Sequence, residues 1–330
     1  MKLDRSAVEY TPGNVGTIAK RAEDRGYDGF WLAETKHDPF LALSGAAAAT
    51  ERIELGTAIA VAFARNPMTV ATTANDLQLL SEGRFNLGLG SQIEAHITKR
   101  FSMPWSRPAA RMREFVLAIK AIWHAWETGE RLAFRGEFYL HTLMTPFFDP
   151  GPNPHGSPPI YLAGVGERMT EVAGEVADGF LCHNFTTERY LREVTLPALR
   201  RGRVKAGKTL EGFEISGPVF AASTDEEIAD VKRQIAFYGS TPAYKPVLDL
   251  HGWGELHEQL HRMSRRQQWA EMSELISDDV LNEFAVVGPA DTVTAALLDR
   301  YGDVVTRISP SANVLQQGSA HQDSAQRPEK

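Results

Sequence analysis

With 330 residues, 43% of them hydrophobic, the chain can enclose one large core, and a formal net charge of −7 with no basic block excludes a nucleic-acid scaffold. A single cysteine, Cys182, rules out an intramolecular disulfide and fits a reducing cytoplasm. No apolar run reaches the roughly 20 residues that a bilayer span needs, and the opening "MKLDRSAVEYTPG" lacks the apolar segment of a secretory signal, so a cytoplasmic globular protein is expected.

The predicted elements alternate. "KLDRSAV" is read as a first strand, followed by an amphipathic helix at about 15–25 that stops at Gly26. "YDGFWLAE" is the second strand, a helix at about 41–51 follows, and "IELGTAIA" is the third. In "NPMTVATTANDLQLLSEG" Pro67 sits near the first turn of a helix and Gly83 just past its end, as helix termini favour. "RFNLGLG" is the fourth strand. A long helix at about 107–128, a small hairpin in "RLAFRGEFYLH" and a Pro/Gly-rich loop then interrupt the beat. It resumes with "PIYLAG", a helix at 168–176, "DGFLCH", a helix at 187–205, "FEISGPVFAAS" and a helix at 224–238. A helical insertion at about 242–282, a helix in "PADTVTAALLDRYG" and a last strand in "DVVTRIS" complete the series.

Eight apolar strands joined by helices predict an α/β fold, a (β/α)8 TIM barrel forming one domain over 1–310. Two insertions, about 131–158 and 242–282, interrupt it, and 311–330 reads as a polar, disordered tail. Such barrels build their sites at the carboxyl ends of the strands. There the second strand ends in "WLAETKHDPF", with Glu34, Lys36, His37 and Asp38 crowded together. The third ends in "GTAIAVAFARNP", the fourth in "GLGSQIEAH" and the fifth in "AGVGERM". Glycines before a helix let the backbone approach a phosphate, whereas each G-x-G also serves as a tight strand-to-helix turn. His183 closes the sixth strand on the same face, and alternation turns Cys182 the other way, as a small hydrophobe. "HEQLH", His257 to His261, matches a zinc-hydrolase pattern. Its helix is charged and amphipathic, no third ligand stands in a recognisable second motif, and the expectation is a solvated helix face with no metal.

Five segments, "RAEDRGYDGFWLAETKHDP", "RIELGTAIAVAFARNP", "LSEGRFNLGLGS", "PPIYLAGVG" and "EVADGFLCH", together resemble the luciferase-like monooxygenase superfamily, and within it the coenzyme F420-dependent oxidoreductases. The resemblance implies a barrel of the bacterial luciferase type whose flavin or deazaflavin stacks on a bulge with a non-prolyl cis peptide, here at or beside Ala58–Ile59. It implies Glu34 and His37 near the reacting ring edge, with His37 shuttling a proton and Glu34 orienting it. Where relatives have Glu followed directly by His, this chain inserts Thr35 and Lys36, which leaves open which of Glu34, Lys36 and His37 reaches the ring. Ser91, Gln92 and His96 match positions that touch the ribityl chain or phosphate, Gly164, Val165 and Gly166 the phosphate cradle, and His183 the cofactor mouth. Lys36, Arg65, Arg107 and Arg168 are candidates to meet the acidic tail of F420.

The implied activity is hydride transfer between F420 and a small organic substrate. The alternatives are an FMN-dependent monooxygenase, a flavin-binding protein without turnover, and the zinc hydrolase. Aromatic residues of the insertions, Phe134, Phe138, Tyr139, Phe147, Phe148 and Trp253, suggest an apolar roof over the substrate, or equally core packing or a dimer surface. A homodimer is the expected assembly.

Overall fold

Parallel strands cannot be joined by tight turns, so each must be followed by a crossover that returns the chain to the same end of the sheet. The computed structural model, which describes residues 1–217 and 220–310, shows this arrangement; the expected tail at 311–330 lies outside the described residues. Eight parallel strands form the ring: β1 Lys2–Ala7, β2 Gly29–Leu32, β3 Glu54–Thr57, β4 Phe85–Gly90, β5 Ile160–Gly164, β6 Gly179–Cys182, β7 Glu214–Ser216 and β8 Arg307–Ile308. Hydrogen bonds run in the order β3, β2, β1, β8, β7, β6, β5, β4, and pairing of β3 with β4 (Leu55 with Phe85, Gly56 with Asn86) closes the barrel.

Closure is not regular at that seam. Beyond Gly56–Asn86 the next pair is Ala60 with Leu89, so one extra residue is accommodated on the β3 side as a bulge. The Ala58–Ile59 peptide bond within it is cis. Thr57 repairs the interrupted ladder with its side chain: its hydroxyl donates to the Gly88 carbonyl (2.6 Å) and accepts from the Gly88 amide (2.9 Å). A Cβ at Gly88 would overlap the Thr57 carbonyl, so only glycine fits beneath the bulge.

The outward faces of the strands carry Phe30, Leu32, Leu55, Phe85, Leu87 and Phe180 into the main apolar core beneath the helices. The helix ends follow the sequence signals: Asn66 caps Pro67–Leu80 by accepting from the Thr69 amide, and Asp38 caps Pro39–Ala49. Two features depart from expectation. The seventh strand ends at Ser216, and the Gly217 amide still bonds the Arg307 carbonyl of the neighbouring strand (2.9 Å). Ala221–Ala222 instead pairs in parallel with Val286–Val287, outside the ring. The 242–282 insertion is helical as expected, and it builds a second apolar core in which its Val247, Leu248 and Leu260 pack with Phe185, Tyr190, Ile235 and Phe284 of the neighbouring segments.

The barrel interior is polar at its lower end. Arg307, fully buried, donates to both Asp4 oxygens (2.6 and 2.9 Å), to Glu214 (2.7 Å) and to Glu54 (3.0 Å), while Lys2 bridges Glu54 and Glu214 from below. Burial opposes the charged guanidinium, but Asp4 and then Glu54 outweigh that and hold Arg307 above its ordinary value. The Trp31 ring lies 4.6 Å from the guanidinium carbon, and a Cβ at Gly56 would collide with that ring, so glycine there makes room for tryptophan. This network explains the polar first strand: Lys2 and Asp4 face the lumen.

Removing one member of such a cluster leaves buried charge without a partner. Arg307→Met should cost about 3–5 kcal/mol, read from the urea midpoint; a change below about 1 kcal/mol would show the network to be dispensable.

Candidate active site at the barrel mouth

Above the charged layer, Trp31, Tyr161 and Leu181 form an apolar floor with Ala58, Ile59 and Ala163. Over it opens a cavity of about 510 Å³ at the carboxyl ends of the strands, within the range of small-molecule sites. Small residues make room for it: Ala7, Ala33, Ala58, Ala163, Ser216 and Gly217 all line its wall. Ile59 and His183 line it too, so the bulge and the end of β6 meet across one space.

The crowded loop after β2 divides its work. The Glu34 amide donates to the Ile59 carbonyl (3.2 Å), and its carboxylate accepts from the Val61 amide (2.7 Å) and from Arg65 (2.7 Å). Glu34 therefore clamps both sides of the bulge. No hydrogen bond joins Glu34 to His37 among the described residues. Arg65 continues to Asp38 (2.7 Å), whose other oxygen caps the next helix, and Lys36 pairs with Glu9 (3.2 Å) at the surface. Tyr10 braces the loop, its hydroxyl donating to the Ala33 carbonyl (3.0 Å) and more weakly to that of His37 (3.4 Å). Of the side chains from Glu34 to Asp38, it is Thr35 that lines the cavity, its hydroxyl donating to the Val8 carbonyl (3.1 Å). Sequence reading missed Thr35 because a threonine among four ionisable neighbours carries no signal of its own.

His183 has a fixed tautomer. Nδ1 accepts from the Phe185 amide (3.0 Å), which leaves the proton on Nε2, 3.2 Å from the Tyr244 hydroxyl. Its ring stacks on Tyr244 and meets Tyr238 edge-on, both centroids within 4.7 Å. Burial pushes its pKa down to about 4, so it is neutral at pH 7. Burial likewise pushes the Cys182 thiol up to about 12, which keeps it protonated, and, contrary to the alternation expected of it, Cys182 lines the same cavity wall as His183.

The remaining expected residues lie around this cavity. Gly164 and Val165 border a narrow recess shared with His183 and with Thr186, whose buried hydroxyl has no partner among the described residues. Gly166 is the N-cap of helix Glu167–Val176, and a side chain there would meet open space. Ser91 donates to the Gln92 carbonyl (3.1 Å), Gln92 adopts a left-handed conformation (φ 58°), and His96 opens a π-helical turn, His96–Arg100. These three lie outside the cavity wall, as do Glu34 and His37, and the 91–100 segment ties to the β2 loop through Arg100 and the Thr35 carbonyl (2.9 Å).

The family model described as luciferase-like monooxygenase matches residues 3–307. The chain belongs to that family. An uncharacterised protein of Mycobacterium tuberculosis is 53% identical over 94% of this chain and 93% of its own length. An F420-dependent glucose-6-phosphate dehydrogenase of Kineococcus radiotolerans is 33% identical over 71% of this chain and 70% of its own. Among solved structures, the coenzyme F420-dependent tetrahydromethanopterin reductase of Methanopyrus kandleri superposes with a TM-score of 0.78 at 23% identity, covering 94% of this chain and 93% of that one.

Within this luciferase-like barrel the "HEQLH" segment has a structural task. It lies in helix Gly254–Arg265, where His257 Nδ1 contacts the Gly239 carbonyl (2.7 Å) and His261 Nδ1 the Ser240 carbonyl (2.9 Å). Both imidazoles thus satisfy the last carbonyls of helix Asp225–Gly239, as side chains near a helix C-terminus do. The expected solvated face is corrected here: His257 is buried, because the insertion packs against that helix end. The aromatic roof is corrected as well. Phe147 and Phe148 are solvent-exposed, Trp253 packs in the insertion's core, and none of the three lines the mouth.

His183 makes folding pH-dependent. Its folded pKa lies below the unfolded value near 6.5, so its contribution is complete above that pH and is lost as pH falls towards 4. The loss should be on the order of 2–3 kcal/mol, and His183→Asn should flatten this part of the profile; equal pH slopes for both proteins in urea unfolding would refute it.

Proposed function

We propose that this barrel is an oxidoreductase that uses coenzyme F420 to exchange a hydride with a small organic substrate. The observation that carries the reading is the bulged end of β3, with its small side chains, facing a cavity of about 510 Å³ at the barrel mouth. Similarity to an F420-dependent dehydrogenase over 71% of the chain supports the choice of cofactor.

The residues present fit such a group. Ala58 offers backbone and little bulk to a flat ring, the Ile59 side chain packs against Gly90, and the unpartnered Thr186 hydroxyl stands beside the Gly164–Val165 backbone. Gly166 and the first amides of the following helix suit a phosphate. Of the four cations considered for the acidic tail, Lys36, Arg65 and Arg107 are taken by Glu9, Glu34 with Asp38, and Glu137. Arg168, exposed in the first turn after Gly166, has no ion-pair partner among the described residues and is the one we assign to the tail.

When bound, the deazaflavin supplies a carbon that gives or accepts the hydride. The chain's own contribution is positional. Glu34 holds the bulge, the apolar floor would exclude water from the underside of a bound ring, and neutral His183 adds no charge at the mouth. We assign the β2 loop's contact with ring or substrate to Thr35, and leave His37 without a step.

Titrating the protein with F420 and with FMN, followed by absorbance, tests the cofactor. F420 should bind and FMN should not; retention of FMN alone, with oxygen uptake on reduction, would replace this reading with a monooxygenase. Arg168→Ala should weaken F420 binding about three- to fivefold. Thr35→Val should lower kcat about three- to tenfold while His37→Ala stays within about twofold, and the reverse ranking would return the proton step to His37.

A further inference from the structure

Helix Asp225–Gly239 closes one side of the mouth. Helical spacing sets Glu227, Asp230, Val231, Gln234 and Tyr238 on one face, and all five line the cavity. Glu227 also serves the helix end, its carboxylate accepting from the Ser223 amide (2.7 Å), and Asp230 pairs loosely with Arg233 at the surface (3.0 Å). Across from this face stand alanines, serines and His183, which is neutral at pH 7. Among the described residues of the wall there is no lysine or arginine, so its formal charges are negative.

Tyr238 is the oriented polar group of that face. Its ring meets His183 edge-on (4.6 Å, 86°) and Tyr244 edge-on (5.7 Å, 84°), which leaves it little rotational freedom. Its hydroxyl makes no hydrogen bond with the described residues, and burial raises its pKa, so it keeps its proton at neutral pH. Beside it, Val231, Phe220 and Leu181 give the cavity an apolar side.

We propose that this helix face selects the substrate: an apolar molecule without negative charge, bearing an oxygen that accepts a hydrogen bond from Tyr238. A phosphate ester or carboxylate entering the mouth would meet Glu227 and, at the rim, Asp230, with no lysine or arginine in the described wall to pair it, and a site discriminates against a ligand whose charge it leaves unpaired. The wall is therefore unsuited to a phosphorylated sugar such as the one in the Kineococcus dehydrogenase's name. The inference deepens the oxidoreductase reading and rests on it for the presence of a redox ring in the mouth. Charge selection by the wall is the same for a deazaflavin or a flavin.

The test uses full-length protein loaded with whichever of F420 or FMN it binds, so the cofactor result is read first and separately. Cyclohexanone and cyclohexanecarboxylate, a pair matched in shape, are then titrated and the shift in ring absorbance is followed. The ketone should bind at least about tenfold more tightly than the carboxylate. Tyr238→Phe, which keeps the ring packing on His183, should weaken ketone binding about three- to tenfold with cofactor affinity unchanged. Asp230→Lys should narrow the preference for the ketone about two- to fivefold. Equal or tighter binding of the carboxylate, binding of neither probe, or an unaltered ketone affinity in Tyr238→Phe would overturn the proposal.

Discussion

A single guanidinium inside the barrel organises what lies above it. Arg307 reaches Asp4 on β1, Glu54 on β3 and Glu214 on β7, so strands distant in sequence are held at one height by one side chain. Charged groups buried together offer little net stabilisation over apolar ones, because desolvation offsets their attraction. Their value is in register: displacing any of these strands by one residue would turn its carboxylate or guanidinium out of the lumen. Trp31 and Tyr161 then lie over this charged plug as the floor of the mouth.

With the floor fixed, the shape of the mouth depends on the seam between β3 and β4. The bulge at Thr57–Ile59 turns the β3 backbone towards the lumen, and it is held on one side by Thr57 against Gly88 and on the other by Glu34 against Val61. A carboxylate that sequence resemblance places near the reacting ring is thus engaged with the backbone on which we propose that the ring lies. The two roles are compatible, because a group that sets the backbone against which a ring lies also sets where that ring lies.

The electrostatics of the two ends differ. The lower barrel neutralises buried charge with several mutual partners, whereas the mouth keeps its titratable groups uncharged through burial: His183 deprotonated, Cys182 and Tyr238 protonated. Carboxylates enter only at the rim, on helix Asp225–Gly239. Insertion 242–282 supports that helix by capping its C-terminus with His257 and His261 and by packing its core against Ile235 and Ala236. It shapes the mouth through the helix it supports, not by covering the opening.

The order of strands and helices was legible in the sequence alone, because apolar runs alternating with amphipathic helices, punctuated by Pro67, Gly26 and Gly83, follow from local backbone and burial preferences. The same text located the residues on the carboxyl face, since strand ends define that face in any such barrel. It could not tell that "HEQLH" caps a helix, that Glu34 binds the bulge, or that Thr35 and Tyr238 stand in the cavity wall. Those facts depend on which groups lie within hydrogen-bonding distance after segments far apart in the chain meet, as Glu34 does with Val61 and His257 with Gly239. Residue type fixes what a side chain can do; only the closed barrel fixes the partner with which it does it.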